Sequence, residues 1–306
     1  MAVAETGGAA GERPAAASPL RGGAVPRGMP KASRKLVNRR PSRPVAAALA
    51  ALPFAALVAI YAWASHVRRL ENPADKLLPS LDAMAAAFWR LATEPDRRTG
   101  DLILWVDTFD SLARLGAGIG ITALLALGVG VAMGFLPHAR AMLSPFVSAV
   151  SLVPPITVLP ILFIAVGLGE ASKIALIVVG TAPIAIRAVA QGVLEIPREL
   201  IVKAETLGAS TLQIATRVVL PWVWPRLVTA IRYALVPGWI FLVSAEAIAS
   251  TSGLGYRILL VRRFLAMDVI LPYVAWITLL AFLLDRALLL LSRRLFRWHH
   301  LAGESL

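Results

Sequence analysis

Glu246 stands in LVSAEAIAS, inside a long apolar run, and is the first residue in this chain whose chemistry asks for an explanation. An ionisable group at membrane depth is costly and faces a cavity or a partner. Two readings stay open from the sequence. Glu246 is a cavity or gate residue, or it is a buried carboxylate hydrogen-bonded to neighbouring helices. Arg114, Arg187 and Arg232 lie near the ends of apolar runs, and Arg257, Arg262 and Arg263 follow the run that holds Glu246. Guanidinium forks match the oxygens of carboxylates and similar anionic groups. Glu246, Arg232 and Arg257 are therefore candidates for a solute path. The same arginines can instead pair with carboxylates or reach toward lipid headgroups.

Other chemistries have no residues to carry them. The chain has no cysteine, which removes disulfides, thiolate metal sites and cysteine nucleophiles. His66, His138, His299 and His300 lack metal-ligand spacing, so no metal is expected. No G-x-x-x-x-G-K-[ST] loop is present, so ATP chemistry would belong to another chain. No G-x-S-x-G elbow points to hydrolysis. The expectation is a protein with no catalytic residue and no cofactor.

The elements that must position these charges are membrane helices. Of 306 residues, 58% are hydrophobic and 16% charged, with mean hydropathy +0.72. Soluble domains run at about 45–50% apolar and about 25% charged. The expectation is an all-α integral membrane protein, a bundle of six transmembrane helices. Six apolar stretches fit the ~20 residues of a spanning helix, at about Val45–Ser65, Leu112–Leu136, Phe146–Leu168, Ile174–Leu194, Leu227–Ile248 and Val269–Leu291. Residues 1–44 read as a disordered basic tail, with nine Lys/Arg against two Glu. Basic loops stay on the cytoplasmic side. That places the 1–44 tail, the loop at about 195–226 and the 293–306 tail in the cytosol, around a 45–292 membrane domain. The net charge of +13 then reflects topology, and nucleic acid is not an expected partner.

The spans are not plain lipid anchors. Gly116 and Gly120, and Gly130 and Gly134, form two small-xxx-small pairs that permit close helix contact. Pro154, Pro155, Pro160, Pro183, Pro237 and Pro272 interrupt other spans. Proline frees backbone carbonyls that then need protein or water. The prolines read either as helices lining a cavity or as ordinary kinks in a packed bundle.

KAETLGASTLQIATRVVLP, Lys203 to Pro221, is too polar to cross a bilayer. Pro197 suits the first turn of a helix. Leu200, Ile201, Ala204 and Leu207 then form one stripe. Gly208 supplies a left-handed C-cap. Ser210 with Gln213 matches a capping box. Leu220-Pro221 is expected to end the second helix, because the residue before proline avoids the helical region. The segment reads as two short capped helices meeting at Gly208-Ala209-Ser210. It could press on another protein or lie on lipid headgroups.

Gly208, nine residues, then Val218-Val219-Leu220-Pro221 resembles the cytoplasmic signature loop of permease subunits of binding-protein-dependent ABC importers, written Glu-Ala-Ala, three residues, Gly, nine residues, Ile-x-Leu-Pro. The resemblance covers nearly the whole chain from about Val45. The family's Glu-Ala-Ala falls on Val202-Lys203-Ala204, so its acidic residue is missing, and Glu205 is placed to substitute about one turn on. GWIFLVSAEAIASTSGLGY, Gly238 to Tyr256, resembles the nitrate, taurine and aliphatic-sulfonate group, and the stretch through RFLAMDVILPYVAWITLLAFLLD is also similar to permeases linked to urea-carboxylase pathways.

The resemblance implies a type I importer permease fold in a bacterial inner membrane, with both termini cytoplasmic. It implies coupling to a cytoplasmic ATPase dimer through Lys203, Ala204, Glu205, Gly208, Ala209, Ser210, Leu220 and Pro221. It also implies a second permease chain, expected to be identical, and an extracytoplasmic solute-binding protein. Two other classes remain at this point: a stand-alone proton-coupled transporter using Glu246, and a membrane scaffold with no solute.

Overall fold

The computed structural model describes residues 41–72, 75–97 and 99–298. The readings of 1–40 and of 299–306 as tails lie outside the described residues. The chain divides into two units, Met1–Val58 and Ala59–Leu306. Helix α1, Arg43–Glu71, runs through the boundary, and its first part is exposed on all sides. An all-round apolar helix of this kind needs lipid or protein around it.

Within the second unit, α2 covers Leu81–Thr93, and the Ser80 hydroxyl caps it by accepting from the Ala83 N–H. Helix α3, Ile103–Leu125, passes through a π turn at Ala126–Gly130 into α4, Val131–Phe135. Together they form a run of 33 residues. The run starts at Ile103, well before the expected Leu112. Asp107 and Asp110 interrupt the apolar signal in sequence, yet both lie in the helix, with Asp107 fully buried.

The third apolar stretch is not one straight helix. Helix α5, Pro137–Leu152, and α6, Pro155–Val166, meet at 98°. Val153 and Pro154 are extended between them, each preceding a proline and so kept out of the helical region. The described residues therefore hold five helices long and apolar enough to cross a membrane, or six with this bent pair taken as one span.

Helix α7, Glu170–Leu194, is the central element, with much of its surface buried. Its contact with the α3–α4 run depends on missing side chains. A Cβ at Gly130 would lie 2.9 Å from the Ile186 carbonyl, and one at Gly134 would lie 2.5 Å from Val193 Cβ. Gly116 and Gly120 have open space instead. Only the second expected glycine pair closes a helix contact. Farther along the same interface, the Thr122 and Thr181 hydroxyls pair at 2.7 Å, both buried.

Helix α8, Arg198–Thr206, leads to α9, Thr211–Ile214. A π turn at Ala215–Val219 then carries the chain into α10, Leu220–Ala249. Leu220-Pro221 therefore does not end the helix. In the π turn the Leu220 N–H bonds the Ala215 carbonyl, an i−5 partner in place of i−4. This wider turn admits a proline that cannot donate. The result is a continuous helical run of 39 residues from Thr211 to Ala249. Helices α11, Leu254–Arg262, and α12, Met267–Leu295, complete the unit.

Candidate functional site

Two sites sit toward opposite ends of the helical run from Thr211 to Ala249. The first is the elbow at Gly208. The Gly208 N–H bonds the Glu205 carbonyl at 2.9 Å, and the Ala209 N–H reaches the Ala204 carbonyl at 3.0 Å. This pair of crossed bonds is the Schellman arrangement, which closes the end of α8. It needs a left-handed residue, and Gly208 has φ +80. Ser210 Oγ then accepts from the Gln213 N–H at 3.3 Å, while Gln213 Oε1 accepts from the Ser210 N–H at 2.8 Å. Both halves of the expected capping box are formed.

The apolar stripe of α8 divides. Ile201, Ala204 and Ala209 pack against the core built on α7 and the start of α10. Leu200, Val202, Leu207 and Leu212 are exposed, with Leu207 at 79%. Lys203, Glu205 and Gly208 are exposed as well. The elbow is thus anchored by one side and presents apolar and charged groups on the other. Glu195 at the end of α7 pairs with Arg226 of α10 and ties the two ends of this loop together. Leu220 is half-buried and Pro221 exposed, just past the π turn.

At the far end of α10, Glu246 is fully buried and held on every side. Ser111 Oγ lies 2.8 and 2.9 Å from its two oxygens. Arg114 Nη1 donates to Oε1 at 2.8 Å, and the Gly255 N–H to Oε2 at 2.9 Å. Arg114 also forks onto Glu170 at 2.5 and 3.0 Å and reaches the Ser252 carbonyl at 2.9 Å. Lys173, itself buried, donates to Glu170 at 2.7 Å. A buried charge is tolerable when paired and hydrogen-bonded, and here each oxygen of Glu246 has a donor.

The same end holds a second carboxylate centre. Asp107 accepts from the Gly253 N–H at 2.9 Å, from Arg257 Nε at 2.8 Å and from Tyr273 Oη at 3.2 Å. Burial works against the charge of Arg257, but its hydrogen bonds with Asp107 and the charge of that carboxylate outweigh it, so the guanidinium sits above its ordinary pKa. The Leu254 N–H bonds Ser111 Oγ at 2.9 Å, and Ser252 bonds Asp110. Three successive backbone N–H groups, at residues 253, 254 and 255, are thereby fastened to α3 and to Glu246. Gly253 is required in this turn. It has φ +118, and a Cβ there would lie 2.5 Å from Glu246 Oε1.

Of the residues singled out in sequence, Arg114, Glu246 and Arg257 join this network. Arg232 does not: it forks onto Asp285 of α12 at 2.8 and 3.0 Å, partway along α10. Asp107, Ser111, Glu170 and Gly253 escaped the sequence reading. One signal was present, since Asp107, Ser111 and Arg114 follow i, i+4, i+7 and so share one helix face.

A bundle of long apolar helices with a buried charged network and an exposed, doubly capped elbow defines a polytopic membrane protein. Residues 118–297 match the family of binding-protein-dependent transport system inner membrane components. The chain belongs to that family and is a permease subunit of an ABC importer, a transport component rather than an enzyme. It is 41% identical over 200 residues to the taurine transport system permease protein TauC of Escherichia coli (strain K12), covering 65% of this chain and 72% of that one. It is 30% identical over 244 residues to the putative aliphatic sulfonates transport permease protein SsuC of the same organism, covering 79% and 89%. Similarity extends to the bicarbonate transport system permease protein CmpB of Synechococcus elongatus (strain ATCC 33912 / PCC 7942 / FACHB-805), at 30% over 205 residues, 66% and 73%. A solved inward-facing structure of the MetNI methionine ABC transporter shares the fold, with TM-score 0.54 and 24% identity over 63% of this chain and 94% of that one. The stand-alone proton-coupled alternative finds no support among these relatives.

Proposed function

We propose that this permease carries a small anionic or sulfonated solute through a path formed with a second permease chain, and that its Gly208 elbow seats in a cytoplasmic ATPase subunit. An external solute-binding protein delivers the cargo. The elbow end, both termini and the loop at 195–226 face the cytosol of a bacterial inner membrane, and the Glu246 end faces outward.

One observation carries this reading. A continuous helical run from Thr211 to Ala249 joins the exposed elbow to the buried network at Glu246. A push on the elbow is therefore delivered to the element that supplies Glu246. Lys203, Glu205 and the exposed leucines beside Gly208 supply the contact with the ATPase. Glu205 offers the acidic group that the family's signature places at Val202. Glu246 and Arg257 serve as fixed, paired charges that hold the outer end of the path, and the Arg232–Asp285 pair ties α10 to α12 beside it. The solute class follows from the relatives, which are named for taurine, aliphatic sulfonates and bicarbonate.

Co-purification tests the partner assignment. The chain should bring down a stoichiometric P-loop ATPase, and Gly208→Asp should lose that ATPase while still inserting into the membrane. Retention of the ATPase and of uptake in that variant would refute the docking assignment.

A further inference from the structure

Two arginines inside the bundle are held by carboxylates. Arg114 faces Glu170 and Glu246, and Arg232 faces Asp285. Arg187 of α7 is different. It is exposed, and among the described residues it has no carboxylate within ion-pairing distance. Its one described bond runs from Nη1 to Ser151 Oγ at 3.3 Å, and Ser151 Oγ in turn donates to the Ser148 carbonyl at 2.8 Å. At 1.5 Å per residue, Arg187 lies about 25 Å along α7 from Glu170 and about 10 Å from Leu194, within the span.

A second feature meets it there. Ser151 is in the last turn of α5, directly before the 98° break, and Leu152, Val153 and Pro154 in that break are exposed. Irregular backbone at membrane depth is tolerated where protein covers it or where it lines water. A charged side chain inside a span obeys the same rule. The unpaired guanidinium and the exposed break thus make the same demand at one place, and the Arg187–Ser151 hydrogen bond joins them.

We propose that this junction lines the solute path and that Arg187, with Ser151, reads the anionic group of the cargo as it passes. The guanidinium fork suits the planar or tripod oxygens of a carboxylate, sulfonate or bicarbonate. Ser151 holds the fork at its edge and leaves its other N–H donors for the ligand. The inference rests on the transport reading above and adds a residue and a charge preference to it.

The absence of native cysteine allows a direct test. Ser151→Cys, assembled with its ATPase in nanodiscs of zwitterionic lipid, is treated with sulfonatoethyl or trimethylammonium-ethyl methanethiosulfonate. Each rate is normalised to the reagent's rate with free cysteine. The anionic reagent should win by about tenfold, the low end of electrostatic focusing in a charged cleft. Ethanesulfonate should slow it. Adding Arg187→Gln should remove the preference, and Arg187→Lys should keep it. No labelling by either reagent would mean that lipid or protein covers the break, and would overturn the proposal. So would equal normalised rates, or a preference that survives Arg187→Gln. A preference that is lost when anionic lipid replaces the zwitterionic lipid would assign Arg187 to headgroups instead. Loss of ATPase co-purification, by contrast, bears on the transport reading and leaves this rate ratio measurable.

Discussion

Arg114 Nη1 lies 2.8 Å from Glu246 Oε1, across 132 residues of sequence, with both side chains withdrawn from solvent. The pair locks α3 to α10 and carries the 252–255 turn with it, since the same guanidinium holds the Ser252 carbonyl and the same carboxylate holds the Gly255 N–H. In the proposed function, the elbow end of the Thr211–Ala249 run meets the ATPase, and the other end is held at Glu246. The Arg114–Glu246 pair is what fastens that end to α3.

Removing one partner of a buried ion pair leaves an uncompensated charge and costs about 3–5 kcal/mol. Arg114→Gln and Glu246→Gln should each lower thermal stability in detergent well beyond the effect of Arg232→Gln, whose pair is partly exposed. The double variant should cost less than the sum of the two single ones. Additive losses in a double-mutant cycle would show that the two groups do not act as a pair.

Gly253 should tolerate no side chain. Its backbone lies in a region that other residues occupy at a cost of about 1–3 kcal/mol, and an added Cβ would collide with Glu246 Oε1 at 2.5 Å. Gly253→Ala is expected to destabilise the protein and to disturb the Arg114 network at once. Gly116→Ala, facing open space on α3, should be near neutral in the same thermal assay. Equal behaviour of the two would contradict the packing described.

Gly134 makes a parallel case for the α4–α7 contact. A Cβ there would lie 2.5 Å from Val193 Cβ and 2.8 Å from the Ala190 carbonyl. Gly134→Leu should sharply reduce the yield of folded protein, while Gly120→Leu should insert and purify normally. Purification by size-exclusion chromatography separates these outcomes.

Much of this arrangement was legible in the chain itself, but unevenly. Periodic apolar runs marked the spans, and local rules marked the elbow, because Gly208 and the Ser210–Gln213 box act over three or four residues. Long-range pairing was harder to read. Asp107 and Asp110 looked like the end of a loop, since a carboxylate normally interrupts a span. Their partners, at residues 252 to 273, lie far away in sequence. Pro221 misled for a different reason. The rule against proline in helices assumes an i−4 ladder, and the π turn at Ala215–Val219 relaxes that condition. The doubled proline at 154–155 was compatible with a kink or a cavity-lining helix, and the 98° break inside the expected Phe146–Leu168 span went beyond both.

The central claim is that the elbow faces the cytosol and is gripped by a separate motor. Leu207→Cys, at an exposed position beside Gly208, would be the chain's only cysteine, and its labelling by a membrane-impermeant maleimide can be compared in inverted and right-side-out vesicles, with and without the ATPase. The account predicts labelling from the cytosolic side only, protection when the ATPase is bound, and a crosslink to that subunit with a short bifunctional reagent. Labelling from the outer side, or a rate indifferent to the ATPase, would contradict it.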